Sequence, residues 1–339
     1  MGYVPELDGI RAIAVLLVIT AHMHTRFWDL TGGWLGVYIF FVLSGYLITA
    51  LALREESDTG ALSIPGFYLR RIFRIFPLYY LVLAIYCVLI FGFGVSPEKR
   101  PLMSANMPYY LLYFQEVPFF RGRLSTFGQS WSLGIEEKFY LLWPLVGFLI
   151  LRQKHDLRLC ITCGLALIPP LLGKAITPYA SILVGCALAL ALEKVRVRNA
   201  ITSAGHAGAW ICLAMLLAVH FFVMPPWGGT NFSKVIYSVA VASCLAFVLQ
   251  VRTPINSMLR TSPLVFIGKV SYGIYLVHLL VLNVAEPVVH GRIIPALLLA
   301  TILSIAVAYV LHVLIEKPMI RVGRRLASQY THRPAPARA

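Results

Sequence analysis

Apolar runs close to twenty residues long recur along most of this chain. Wound as an α-helix, such a run matches the hydrocarbon thickness of a bilayer. Inside a bilayer every backbone N–H and C=O must be satisfied within the chain, which leaves only helices or a closed barrel. A barrel would show short alternating segments, and the pattern here is long and uniform. Composition points the same way. The chain is 59% hydrophobic and 13% charged, against about 25% charged residues in a soluble domain. An all-α fold is expected, a polytopic transmembrane helical bundle.

Spans are expected near 10–25, 34–53, 72–94, 132–151, 157–173, 178–194, 207–224, 233–251, 268–290 and 294–316, about ten in all. An apolar patch near 106–115 is too short to cross and reads as re-entrant or interfacial. Alternate loops are basic: Arg54/Arg70/Arg71/Arg74, Arg152/Lys154/Arg158, Lys194/Arg196/Arg198, Arg252/Arg260 and Arg321/Arg324/Arg325. The positive-inside rule then places both termini in the cytoplasm, and an even span count agrees. The stretch 95–131 would face the other side; its Arg100, Arg121 and Arg123 depart from the simple charge pattern. One transmembrane domain is expected over 1–325. The Pro/Ala/Arg-rich 326–339 reads as a disordered cytoplasmic tail. The first apolar segment has neither a basic leader nor a small-residue cleavage site, so no cleavable signal peptide is expected.

The net charge of +15 sits mostly in loops and favours anionic lipid head groups. No soluble basic domain accompanies it, which argues against nucleic acid as a partner. The six cysteines fall in or at the ends of apolar segments. Cys160-x-x-Cys163 has metal or redox spacing but no second pair, and reads as structural; no metal site is expected. No Walker A loop, Rossmann glycine fingerprint, His-Glu-x-x-His pair or G-x-S-x-G elbow appears, so ATP hydrolysis, nicotinamide chemistry and zinc proteolysis lack support. There is no internal repeat of the kind found in inverted-repeat transporters.

Against this apolar background the polar residues stand out. Arg11 and His22 share the first span, eleven residues apart. That is about three helical turns, so both fall on one face, roughly 16 Å apart along the axis. Ionisable residues within a membrane are costly and mark functional sites. Asp8 lies one turn before Arg11 and can pair with it. An interfacial salt bridge and a functional pair are both open for Asp8 and Arg11. His22 is the side chain best suited to accept a proton near neutral pH.

Arg70, Arg71 and Arg74 lie among aromatics in Phe67-Tyr-Leu-Arg-Arg-Ile-Phe-Arg-Ile-Phe-Pro77. Any one of them could be an ordinary membrane anchor, but the guanidinium pair of Arg71 and Arg74, one turn apart, suits phosphate oxygens. Glu136 and Glu137 are adjacent carboxylates inside an apolar helix that opens with Trp131-Ser-Leu. Adjacent residues point about 100° apart, so one at most faces the same site as His22, and the other can pair with Lys138 or solvent. Tyr272, Tyr275 and His278 form a polar stripe, for which interhelical hydrogen bonding and catalysis are both open. Glu316-Lys-Pro318 reads as a terminal cap or anchor.

Taken together, these blocks resemble the acyltransferase-3 family of integral membrane acyltransferases. The resemblance rests on Leu7-Asp8-Gly9-Ile10-Arg11 leading to His22, on Phe40-Phe41-Val42-Leu43-Ser44-Gly45-Tyr46, and on Arg71-x-x-Arg74 before Phe-Pro77. Trp131-Ser-Leu with Glu136-Glu137, Ser271-Tyr272-Gly273 with His278, and Glu316-Lys-Pro318 complete it. It covers nearly the whole chain and is thinnest over 195–262. The resemblance implies an O-acetyltransferase in the bacterial inner (cytoplasmic) membrane, moving acetyl from cytoplasmic acetyl-CoA to a sugar hydroxyl. Exopolysaccharide, O-antigen and lipid-linked glycans are acceptors of such enzymes. It implies His22, Glu136 and Arg11 as catalytic residues and Arg71, Arg74 and Arg70 as donor-binding ones. Asp8, Ser44, Trp131, Tyr272 and His278 would support substrate or site. The competing readings are a succinyl-CoA donor, a non-glycan acceptor and, from another class, a transporter of an anionic small molecule.

Overall fold

Each of the ten expected segments overlaps an α-helix among the described residues, two of them overlapping a pair of α-helices. The computed structural model describes residues 3–23, 26–123, 125–152, 154–224, 229–290 and 292–330, and no strand occurs among them. The main helices are α1 (Pro5–Thr20), α2 (Leu35–Thr59), α3 (Ile64–Cys87), α4 (Trp131–Pro144), α5 (His155–Leu167) and α6 (Thr177–Glu193). They continue with α7 (Val195–Ala218), α8 (Asn231–Gln250), α9 (Ser271–Val288), α10 (Ile293–Leu311) and α11 (Lys317–Ser328). Seven helical stretches among the described residues are long and apolar enough to cross a membrane. The shorter α1 and α6 have 16 and 17 residues. The segment containing α4 carries Glu136, Glu137 and Lys138. The chain is a multi-pass helical membrane protein.

Apolar side chains fill the core and also cover much of the outside, while several ionisable groups are buried. Large apolar side chains such as Phe222 (88% exposed) and Ile150 (70%) point outward. Asp8, Glu116, Arg158, His278 and Glu316 are buried. Lipid solvates the first group at no cost, whereas ionisable groups must find partners inside. Arg158, which the loop pattern counts among the positive-inside anchors, is 1% exposed. It makes a two-pronged pair with Glu56 (Nη1–Oε2 2.9 Å, Nη2–Oε1 3.1 Å).

Two close approaches fix the frame around the polar centre. Gly45 of α2 faces the Ile182 carbonyl and Gly185 of α6 faces the Val42 carbonyl, and at either position a Cβ would overlap that oxygen. The reciprocal absence of side chains lets the two backbones touch. Gly268, in the short helix Ser262–Lys269, meets the Asp8 carbonyl of α1 in the same way. Together these seams hold Arg11 and Ser44 on rigid elements.

Among its described residues, the 95–131 stretch has no helix long and apolar enough to cross a membrane. Its helices Arg100–Leu111 and Glu116–Phe120 are short, and the segment packs inward on α3. Tyr79 donates to the Tyr110 carbonyl (2.9 Å), and Gln129 Nε2 donates to the Leu276 carbonyl (2.7 Å). Of the tail expected from 326, the first three positions continue α11, which ends at Ser328; residues 331–339 lie outside the described residues.

Candidate active site

Five helices bring their polar residues to one cavity. Arg11 of α1, Ser44 of α2, Arg71 and Arg74 of α3, Glu136 of α4 and Tyr272 of α9 all line it. Ser63 starts α3 by accepting the Gly66 N–H (3.2 Å), which fixes where the arginine turn begins. The i, i+3 spacing then sets Arg71 and Arg74 side by side on the cavity wall.

Glu136 is held from two sides. Ser44 Oγ donates to it at 3.0 Å and the Tyr140 hydroxyl at 3.1 Å. Arg71 and Arg11 are its cationic neighbours. Arg71 lies 4.9 Å above the Tyr140 ring and 5.7 Å from the Phe67 ring. Glu137 does not line the cavity, and its Oε1 is buried without a hydrogen-bond partner among the described residues. Lys138 turns instead to Glu116 (2.7 Å).

The cavity is unbalanced in charge. Arg11, Arg71, Arg74 and Lys269 face it against one carboxylate, Glu136. Asp8 offsets Arg11 only weakly, at 3.7 Å. Asp8 is itself engaged by the Tyr3 hydroxyl at 2.7 Å; burial and the neighbouring carboxylate push the Tyr3 pKa up to about 12, so this donor keeps its proton. Arg71 and Arg74 form no ion pair and no hydrogen bond among the described residues. Such a wall favours an anion or developing negative charge.

His22 lies in the turn after α1. Its Nδ1–H donates to the Val18 carbonyl (2.9 Å). His278 of α9 stands beside it, ring centroids 5.0 Å apart, and its own Nδ1–H donates to the Tyr275 carbonyl (2.7 Å). A carbonyl only accepts, so in both neutral rings the hydrogen is on Nδ1 and the lone pair on Nε2. His278 is 1% exposed, and its Nε2 has no hydrogen-bond partner among the described residues. Tyr275 joins the two places: it lines the cavity, accepts from Ser132 (2.7 Å), donates to the Gln129 carbonyl (2.8 Å), and its ring is 5.7 Å from that of His278.

The sequence-derived residues thus divide. Arg11, Arg71, Arg74, Glu136, Ser44 and Tyr272 converge on the cavity, with Asp8 behind Arg11. His22 and His278 form a separate pair. Arg70 is bound by Glu55 (2.5 Å) and faces a neighbouring cavity. Trp131 is off the wall, stacked on Phe119 at 4.7 Å. Lys269 was not singled out in the sequence; its one signal there is a lysine two residues before Ser271.

The family model described as an acyltransferase domain, acyltransferase-3, matches residues 4–313. A Bacillus subtilis protein named "Putative peptidoglycan O-acetyltransferase YrhL" is 31% identical over 98% of this chain and 57% of its own length. The peptidoglycan O-acetyltransferase OatA of Listeria monocytogenes is 31% identical over 85% of this chain and 51% of its own. A Staphylococcus aureus protein named "Putative O-acetyltransferase SACOL0978" is 30% identical over 84% and 51%. The chain therefore spans about half the length of these relatives. No solved structure matches it.

Proposed function

This chain belongs to the acyltransferase-3 family, and on that premise we propose that it is an O-acetyltransferase of the bacterial inner membrane, moving acetyl from coenzyme A to a glycan hydroxyl. The observation that carries the reading is the excess of cations over carboxylate on the wall that holds Arg71 and Arg74, in a cavity joined through Tyr275 to the imidazole pair. A coenzyme A thioester brings several phosphates and a neutral reactive end. The first needs fixed cations and the second needs a base.

In this reading the bundle has ten spans and both termini lie in the cytoplasm. The donor enters from the cytoplasmic side, its phosphates on Arg71 and Arg74. The pantetheine arm runs past Glu136 and Tyr275 toward His22. His22 Nε2 takes the proton of the acceptor hydroxyl as the oxygen attacks the thioester carbonyl. Collapse of the tetrahedral intermediate breaks the carbon–sulfur bond, and the imidazolium returns the proton to the leaving thiolate. His278 presents a second Nε2 lone pair to the site and favours the positive charge that His22 acquires. Arg11 and Glu136 set the field along the arm. Two relatives are named for peptidoglycan, and a glycan of that kind, or an exopolysaccharide, O-antigen or lipid-linked sugar, is the acceptor in this reading.

The test uses purified protein in proteoliposomes with acetyl-CoA and glycan fragments. Acceptor-dependent release of free thiol, with acetyl found on the glycan by mass and proton NMR, is expected. Vesicle uptake of an anion without thiol release would make the protein a transporter and end this reading.

A further inference from the structure

A second cavity opens beside the first, with a volume of about 290 Å³ against about 100 Å³. Its wall includes Glu55, Arg70, Arg71, Arg74 and, from α11, Arg324. The two voids share Arg71 and Arg74, so they meet at that guanidinium pair. In the outer one, Glu55 already holds Arg70 and also accepts the Ser63 N–H (3.0 Å). Arg324 forms no ion pair and no hydrogen bond among the described residues, and it is exposed. Its position is nevertheless set by packing. The preceding Gly323 is buried against Phe73 of α3, where a Cβ would collide with the Phe73 Cβ, so α11 lies directly on the arginine helix. A basic residue that served only as a lipid anchor would not need that register.

We propose that this outer cavity holds the 3′-phosphate end of the acyl donor, and that Arg324 is the specificity-determining residue for that phosphate. The proposal rests on coenzyme A thioester as the donor. The order of groups along the donor supplies the argument. The thioester, the pantetheine arm, the pyrophosphate and the 3′-phosphoribose follow one another in line. With the thioester directed through the inner cavity toward His22, the pyrophosphate falls at the shared Arg71 and Arg74 wall. The next anionic group then lies outside it, where Arg324 is a cation with no ion pair among the described residues. A phosphate monoester carries about −1.5 to −2 charge at neutral pH and presents three acceptor oxygens to a guanidinium. An anionic lipid head group offers similar chemistry at the same membrane surface, so the test separates the two.

Full-length protein in nanodiscs of zwitterionic lipid is titrated with coenzyme A and with 3′-dephospho-coenzyme A. The wild type is expected to bind coenzyme A about tenfold more tightly, the value of one charge-assisted contact. Arg324→Ala should erase that gap by weakening coenzyme A alone, and Arg324→Lys should restore part of it. Arg325→Ala, on the same exposed helix but off the cavity wall, should leave the gap intact. Equal weakening of both ligands by Arg324→Ala, or of neither, overturns the proposal. So does an Arg325→Ala loss as large as that of Arg324→Ala. A gap that disappears when phosphatidylglycerol is added would assign Arg324 to a lipid head group. If the wild type binds neither ligand, the donor reading fails first and this proposal with it.

Discussion

The imidazole pair and the cation-walled cavity are reached by the same helices, α1 and α9, yet they treat polarity in opposite ways. At the pair, each ring is tied through Nδ1 to a carbonyl of its own neighbourhood, Val18 or Tyr275. In the neutral form of each ring the lone pair is then on Nε2. In the cavity, Arg71 and Arg74 are left without hydrogen bonds among the described residues, while the one carboxylate is pinned by Ser44 and Tyr140. The first arrangement suits moving a proton, which requires a known tautomer. The second suits holding negative charge, which requires more cations than the single carboxylate can offset. On this reading the division separates turnover from donor affinity, and substitutions should respect it.

The largest effect is expected at the pair. His22→Ala should lower turnover by about 10²–10⁴-fold, the usual worth of general base catalysis, while donor affinity and melting temperature hold. Near-normal turnover by that variant breaks the comparison at its root. Next comes the cavity wall. Arg74→Ala should raise the donor KM about 10- to 100-fold with kcat nearly constant. Arg54→Ala should change it less than about twofold, because Arg54 and its partner Asp58 (3.5 Å) are exposed to solvent. Equal losses from the two would mean that only bulk charge matters.

Glu136→Gln keeps the shape but removes the charge that Arg71 and Arg11 face. A loss of about tenfold in transfer with unchanged melting is expected, and Glu137→Gln should keep most activity. If both variants melt early and lose activity in step, Glu136 belongs to the frame and not to the chemistry. The smallest effect should come from the bridge. Tyr275→Phe removes the hydroxyl bound to Ser132 and Gln129, at a stability cost of about 1 kcal/mol, and should slow transfer about threefold. An unchanged rate per folded molecule would show that Tyr275 only joins the two regions mechanically.

How much of this could be read from the chain depends on the direction of the contact. Contacts along one helix were legible: the Arg71 and Arg74 pair, the Asp8 and Arg11 turn, and the apolar runs themselves follow from spacing. Contacts between helices were not. Spacing alone left open which of Glu136 and Glu137 shares a site with His22; the Val18 carbonyl takes Nδ1 of His22, and Glu136 sits among the arginines. Nothing in the spacing distinguishes Arg158, buried on Glu56, from the exposed Arg152 six residues earlier in the sequence. Trp131 stood out by its motif, but stacking on Phe119 takes it off the wall. Lys269 and Arg324 enter the two cavities only because α1 and α3 pack against their helices.

The crossing of α2 and α6 has a consequence for genetics. Ser44 and Gly45 are neighbours, and Gly45 has no room to move because Gly185 presses the opposing backbone against its helix. A side chain at Gly185 would push α2 aside and carry the Ser44 hydroxyl away from Glu136. On the proposed function, a screen for strains that have lost glycan acetylation should therefore return Gly185 alongside the polar residues. Its phenotype would pass for a chemical defect although its own side chain is a hydrogen atom.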